Sequence, residues 1–395
     1  MIIAPKTLNL QWEFINFLEG KIIMVKVLTK IFATPSKYVQ GLGAINELGK
    51  HVKDLGKKAF IMGGPTAISL TEELIRKSLK ENGVEIVGID KTVKECTHEA
   101  INRLSKEGKE KGADVIIGVG GGKAVDTAKA VAWKMGALPA AMVPTQCATN
   151  ADASALSVVY TEKHEFVEYL VYPKHPELVL VDTNIVGRCP AKFLVQGMGD
   201  ALACKFEAEA CKASNSPSFL GGLATDAGLA LAHLCFENLM KYGLLAKKAM
   251  EIGAVTPAVE KIIESIKLLS GVGWEVNGLA AAHAIHNGLT ILPGLRGEHG
   301  EIVAFGTIAQ LVLENRLPEE IYSIVDWCIK VGLPTTLEEL GLAGVKKENL
   351  MKAAEKACDP KDTMGNMPFS ITPEMVLDAI LVADSIGKER KKVLT

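Results

Sequence analysis

The chain has 395 residues, enough for two cores, and it is 48% hydrophobic with 37 glycines, which excludes a disordered chain and points to a folded one with many tight turns. Its 44 basic and 46 acidic residues are interspersed for a net charge of −2, so charge gives no reason to expect nucleic acid as a partner. The 8 cysteines form no C-x-x-C pair and read as free thiols of a reducing, cytoplasmic compartment.

Taken in order, residues 1–23 carry Glu13 and Glu19 and lack a basic start before a continuous apolar run. They fail as a signal peptide and are expected to form an extension, with Met24 the initiator. No run reaches the roughly eighteen apolar residues of a membrane span, so no membrane partner is expected. From residue 27 to about 182, short β-rich runs alternate with amphipathic helical patterns. Residues 58–64 read as a strand and turn, 69–83 as a helix with a glycine C-cap, and 84–90 as a strand. Residues 97–111 follow as a helix and 114–119 as a strand buried on both faces. Such alternation predicts a parallel sheet covered on both sides.

The last of these strands runs into Gly118-Val-Gly120-Gly121-Gly122-Lys123 and a helix. Adjacent glycines let the backbone approach a pyrophosphate, N–H groups at the helix start point at it, and Lys123 adds a positive charge. The pattern is neither G-x-G-x-x-G nor a Walker loop, and the alternative is an ordinary tight turn, which seldom needs three glycines in a row.

After a further strand at 177–182 the patterns become helical, as at 219–242, 257–269, 305–314 and 318–331. The expected organisation is an extension at 1–23, a dinucleotide-binding α/β domain at 24–184 with a Rossmann-like parallel sheet, and an all-helical metal- and substrate-binding domain at 185–395. No internal repeat is visible.

In the helical half, His283 and His286 stand at i and i+3 in an Ala-rich stretch and so share a helical face, with His299 on the next element. Imidazoles alone leave an ion's charge unneutralised; Asp200, in a small and apolar helical stretch, is the carboxylate candidate. Two His and one carboxylate with an open position suit a zinc or iron ion that polarises a substrate oxygen. The alternatives are that Asp200 caps a helix N-terminus and that the histidines are satisfied core residues. With the glycine loop, this set predicts metal-assisted hydride transfer across an interdomain cleft.

The motifs Gly120-Gly-Gly-Lys-Ala-Val-Asp-Thr-Ala-Lys129, Ser154-Ala-Leu-Ser-Val-Val-Tyr-Thr161, Gly197-Met-Gly-Asp-Ala-Leu-Ala203, Gly278-Leu-Ala-Ala-Ala-His-Ala-Ile-His-Asn-Gly288 and His299-Gly-Glu301 occur in this order. By them the chain resembles the iron-containing (group III) alcohol dehydrogenase superfamily, in its glycerol dehydrogenase-like branch, from about residue 37 to the C-terminus. The resemblance implies zinc (alternatively iron) on Asp200, His283 and His299, NAD or NADP as cofactor, and oxidation of a vicinal diol such as glycerol to a hydroxyketone. It also implies a homo-oligomer, dimer or octamer. By the same carry-over Gly120, Gly121, Gly122 and Lys123 meet the cofactor phosphates, and Thr145, Ala148, Ser154, Leu156 and Tyr160 line the nicotinamide side. His286 would pass the hydroxyl proton toward solvent or brace its helix.

The chain departs from the family at four places. Asn150 stands where relatives place an Asp that bonds the polyol, with Asp152 two residues on as the alternative carrier of that charge. Gly64 stands where NAD-preferring relatives place the acid on the adenosine ribose, a loss that removes repulsion against a 2′-phosphate and favours NADP(H). Ala148 replaces a Ser near the nicotinamide. Cys204, at i+4 from Asp200, stands where the iron-using branch has a His ligand, and is read either as a metal contact or as a buried thiol. Gly64 and Asn150 together suit an alternative activity, NADPH-dependent reduction of a hydroxyketone, aldehyde or 2-oxo acid. A lyase or cyclase of the dehydroquinate-synthase type shares the two-domain architecture but wants a basic cluster for a phosphate-bearing substrate; near the metal motifs there is Arg296 and no such cluster.

Overall fold

Six apolar runs between residues 38 and 182 pair into one sheet. They are β3 (Tyr38–Gly41), β4 (Lys58–Gly63), β5 (Glu85–Asp90), β6 (Val115–Gly120), β7 (Ala140–Pro144) and β10 (Leu178–Asp182), in the order β3-β10-β7-β6-β4-β5 and all parallel. The computed structural model describes residues 29–163 and 166–394, and the backbone alone of a hairpin, β1 (Ile15–Leu18) and β2 (Lys21–Met24). The expectation of an extension ending before Met24 otherwise lies outside the described residues.

Side chains alternate across a strand, and here both faces are apolar. Ile61, Ile117, Val119, Val143 and Leu180 pack on one side with α1 (Leu48–Val52) and α2 (Pro65–Glu81). Phe60, Met62, Ile116, Met142 and Val181 pack on the other with α3 (His98–Glu110) and α4 (Gly122–Lys134). The second core runs on into the helical part, so the sheet and the helices share one interior. Helix α2 begins at Pro65, earlier than the expected 69, because proline's missing N–H costs nothing at a first helical position. The antiparallel hairpin β8 (Leu156–Tyr160) and β9 (Phe166–Val171) stands outside the parallel sheet and was not expected.

The remainder is helical: α5 (Thr183–Val186), α6 (Ala191–Ser214), α7 (Asp226–Glu251), α8 (Pro257–Glu264), α9 (Gly271–Asn277), α10 (Ala281–Leu289), α11 (His299–Leu313), α12 (Pro318–Val331), α13 (Lys347–Ala357) and α14 (Pro373–Leu394). Helix α7 starts at 226 and not 219 because Thr225 caps it, its hydroxyl accepting from the Gly228 N–H at 2.9 Å. The run expected as one helix at 257–269 is α8 followed by a π-helix, Ser265–Ser270. No helix among the described residues is long and apolar enough to cross a membrane.

Candidate active site

Asp200 lies in the interior of α6, whose N-cap is Pro190, so the helix-cap alternative does not hold. Its placement beside His299 depends on small residues. A Cβ on Gly199 would lie 2.3 Å from the Gly300 carbonyl oxygen, and one on Gly300 would lie 1.9 Å from that of Gln196. Only glycine permits α6 and the start of α11 to cross this closely. A capping box between Glu298 and Glu301 then fixes His299 as the first residue of α11.

Asp200, His283 and His299 converge, with one ligand atom from each lying within 4.8 Å of the others. Both imidazoles aim Nε2 at the same carboxylate oxygen, His283 and His299 each at 3.5 Å from Asp200 Oδ1. Their other nitrogens are engaged. His283 Nδ1 bonds Glu207 Oε2 at 2.6 Å, and His299 Nδ1 bonds His286 Nε2 at 3.1 Å. That leaves Nε2 of each ring to act as the donor atom, as divalent zinc or iron requires. The three residues therefore fit a metal.

Glu207 was not singled out in the sequence. Fully buried on α6, it also accepts from the backbone N–H groups of Ala280 at 2.8 Å and His283 at 3.0 Å. Helix α10 has no side-chain cap from its own N-cap residue, so this carboxylate serves as its cap while turning His283. Its signal was present, an acid seven residues after Asp200 in an apolar helix and hence on the same face. Burial works against charging His283, but Glu207 and Asp200 outweigh it and hold the imidazole up at about 10. For Asp200, burial is likewise outweighed, and hydrogen bonds from His283 and His299 hold its carboxyl well below the usual range. His286 goes the other way: burial and then the neighbouring His299 push it well below its ordinary value. It therefore stands neutral and accepts from His299, while its Nδ1–H faces Asn287 Oδ1 at 3.0 Å and Asn287 in turn donates to Asp362. Cys204 is not among the converging ligands; its thiol packs with Ala208 and Ala232.

The glycine loop lies at the end of β6, where Gly120 takes φ 147°, open to glycine. A Cβ on Gly122 would come 3.1 Å from Thr149 Oγ1. That hydroxyl is buried with no hydrogen-bond partner among the described residues. An orphaned hydroxyl beside a bare helix start suits a cofactor oxygen as the partner it lacks. Lys123 Nζ lies 2.8 Å from Glu95. Tyr160 is close by, its N–H bonding the Cys96 carbonyl at 2.9 Å, and burial pushes its hydroxyl up to about 12. Gly64 precedes α2, and a Cβ there would meet the Val93 carbonyl at 3.4 Å, an ordinary contact.

One loop connects the two groups of residues. The Thr145 N–H bonds the Gly120 carbonyl at 3.1 Å, and the Cys147 carbonyl packs on α6, 1.9 Å from where a Gly197 Cβ would be. The Ala148 N–H turns back on the Gln146 side chain at 2.5 Å. Asn150 donates to Ser270 Oγ at 2.8 Å, and Ser154 and Leu156 are buried where the loop enters β8. Asp152 does not replace a substrate carboxylate: both it and its partner Lys267 are fully buried, 2.6 Å apart.

The family model for iron-containing alcohol dehydrogenase matches residues 35–183. A glycerol dehydrogenase of Thermotoga maritima is 47% identical over 93% of this chain and 100% of its own length. A glycolaldehyde reductase of Halobacterium salinarum is 42% identical over 91% of this chain and 99% of its own. The crystal structure of glycerol dehydrogenase from Schizosaccharomyces pombe superposes with a TM-score of 0.88 at 37% identity, covering 93% of each chain. By these matches the chain belongs to the iron-containing alcohol dehydrogenases, in their glycerol dehydrogenase-like branch.

Proposed function

We propose that this chain is an NAD(P)-dependent dehydrogenase that moves a hydride between a nicotinamide and a carbinol carbon of a vicinal diol, oxidising glycerol to dihydroxyacetone. The observation that carries this reading is the loop from Thr145 to Asn150, bonded to the glycine turn at one end and packed on the metal-ligand helix farther along. Zinc, or alternatively iron, held by Asp200, His283 and His299 would polarise the substrate oxygen and stabilise the charge that grows on it. The chain's own residues do the rest. Glu207 and His286 hold the two imidazoles with Nε2 facing inward. Asn150, with an N–H already given to Ser270, keeps its amide oxygen for a second substrate hydroxyl. Gly120, Gly121, Gly122, Lys123 and the Thr149 hydroxyl take the cofactor phosphates. His286, bonded to His299, acts first as its orienting partner; the proton relay expected for it would have to run along that same bond.

Gly64 supports acceptance of NADP(H), since no carboxylate stands at the start of α2 to repel a 2′-phosphate. Together with Asn150 and the glycolaldehyde reductase relative, it supports a second reading, reduction of a hydroxyketone, aldehyde or 2-oxo acid on the same site. With the function go the division into 24–184 and 185–395, a cytoplasmic location, and a dimer or octamer that light scattering would size. The test is a steady-state panel on metal-stripped enzyme reloaded with Zn²⁺ or Fe²⁺. It crosses NAD⁺ and NADP⁺ with glycerol, 1,2-propanediol and 1-propanol, and NADPH with glycolaldehyde. Metal-dependent oxidation of the diols supports the first reading; activity confined to carbonyl reduction with NADPH supports the second.

A further inference from the structure

Residues 149–156 have no regular structure until β8, yet most of them are buried or half-buried, so their backbone polar groups need partners. Those partners come from two sides. From α4, the buried Lys129 donates to the Ala151 carbonyl at 2.7 Å and to that of Leu156, and pairs with Asp126 at 2.9 Å. From the helical part, Lys267 donates to the Thr149 carbonyl at 2.7 Å and to Asp152 at 2.6 Å, and Glu275 accepts from the Ala155 N–H at 2.9 Å.

Lys267 and Ser270 both belong to the π-helix, a wider turn that is rare and is found disproportionately at functional sites. It aims both residues at the same loop, Lys267 at Thr149 and Asp152, Ser270 at Asn150. The next residue, Gly271, lies close enough that a Cβ would come 3.0 Å from the Asn150 carbonyl oxygen. The negative charge of Asp152 is neutralised in the interior by Lys267, and the Asn150 amide is oriented by its hydrogen bond to Ser270.

We propose that the π-helix is the positioning element for the substrate: Ser270 sets which face of the Asn150 amide meets the second hydroxyl of a diol, and the Lys267–Asp152 pair fixes the height of the loop that carries it. The helical part, which also supplies the metal ligands, thereby sets both contacts to the substrate. This rests on the reading of Asn150 as a diol contact. Ser270 and Lys267 are positioning residues.

The test measures kcat and KM of the full-length, zinc-loaded enzyme with 1,2-propanediol and 1-propanol for Asn150→Ala, Ser270→Ala, Ser270→Thr, Lys267→Met and the double variant Asp152→Asn/Lys267→Met. For Ser270→Ala the ratio of kcat/KM on the diol to that on 1-propanol falls about tenfold, mainly through the diol KM, and Ser270→Thr restores it. Lys267→Met lowers Tm by leaving Asp152 buried and uncompensated; the double variant regains Tm and keeps the raised diol KM. A general loosening of the fold would lower both substrates together and leave the ratio unchanged. If Asn150→Ala lowers the ratio while Ser270→Ala and the double variant leave it at the wild-type value, the inference is overturned and the substrate reading stands. If Asn150→Ala also leaves the ratio unchanged, the reading of Asn150 falls and the inference with it.

Discussion

Glu207 shows how one buried side chain joins folding to chemistry. Its carboxylate receives two backbone N–H groups at the start of α10 and the Nδ1–H of His283. Glu207→Gln keeps the volume but puts an NH₂ where one of those donors points. Zinc affinity, read by competition with a chelator, is expected to fall about 10- to 100-fold, the usual cost of losing such an orienting carboxylate. Gly64→Asp is a second residue-scale prediction. The backbone there has φ −74° and the nearest atom to a new Cβ is 3.4 Å away, so aspartate fits. It should lower kcat/KM with NADP⁺ at least about tenfold and leave NAD⁺ nearly unchanged; equal loss with both cofactors would contradict the placing of the adenosine ribose at this residue. Asp200, His283 and His299 were legible because histidines are scarce and their spacing puts them on helix faces. Glu207 and Lys267 were not singled out, since the partner that gives each its meaning lies on an element far away in sequence.

Between elements, the site is made by the crossing of α6 over the start of α11. Gly300→Ala places a methyl against the Gln196 carbonyl oxygen, an approach of 1.9 Å that neither helix can relieve without moving His299. We expect about 1–3 kcal/mol of destabilisation by denaturant melts, together with weaker zinc binding; a loss of stability with wild-type zinc affinity would show that the crossing does not set the ligand geometry. Strand-and-helix alternation was readable because each strand buries two apolar faces, and α12 (Pro318–Val331) coincides with its expected bounds. The π-helix was not readable, because periodicity does not distinguish it from a continuing α-helix. The hairpin β8–β9 lay hidden for another reason: β9 is apolar at Phe166, Val167, Tyr169, Leu170 and Val171 yet mostly exposed, and nothing in that run says that it pairs with β8 outside the parallel sheet.

At the scale of the whole molecule, ion pairs tie separate elements to one another. Glu209 of α6 bonds Arg316 between α11 and α12 at 2.8 Å, and Asp90 at the end of β5 bonds Arg103 of α3 at 2.7 Å. Burial raises both carboxyls, but Arg316 with Lys205, and Arg103 with Thr92, prevail and hold them below their ordinary values. A depressed folded value contributes stability that is present above the unfolded value and lost as pH falls through the folded one. The Tm of the metal-stripped protein should therefore fall most steeply below about pH 4.5, after a shallower loss that begins near about pH 6.5, where His286 takes up a proton in the unfolded chain but is held neutral in the fold. A Tm that stayed level through about pH 4 would contradict the part given to these carboxylates. Metal binding to the folded chain alone should raise Tm above this baseline, by about 2.7 kcal/mol of stability at a hundredfold excess over Kd. The central claim is that one divalent ion held by Asp200, His283 and His299 enables dehydrogenation. Equilibrium dialysis of Zn²⁺ into the stripped enzyme, with 1,2-propanediol oxidation assayed at each point, tests it most directly. The account predicts one Zn²⁺ per chain, activity rising in proportion to occupancy, and loss of both in His299→Ala. Full activity in the stripped enzyme with chelator present, or stoichiometric zinc retained at the same affinity by His299→Ala, would contradict it.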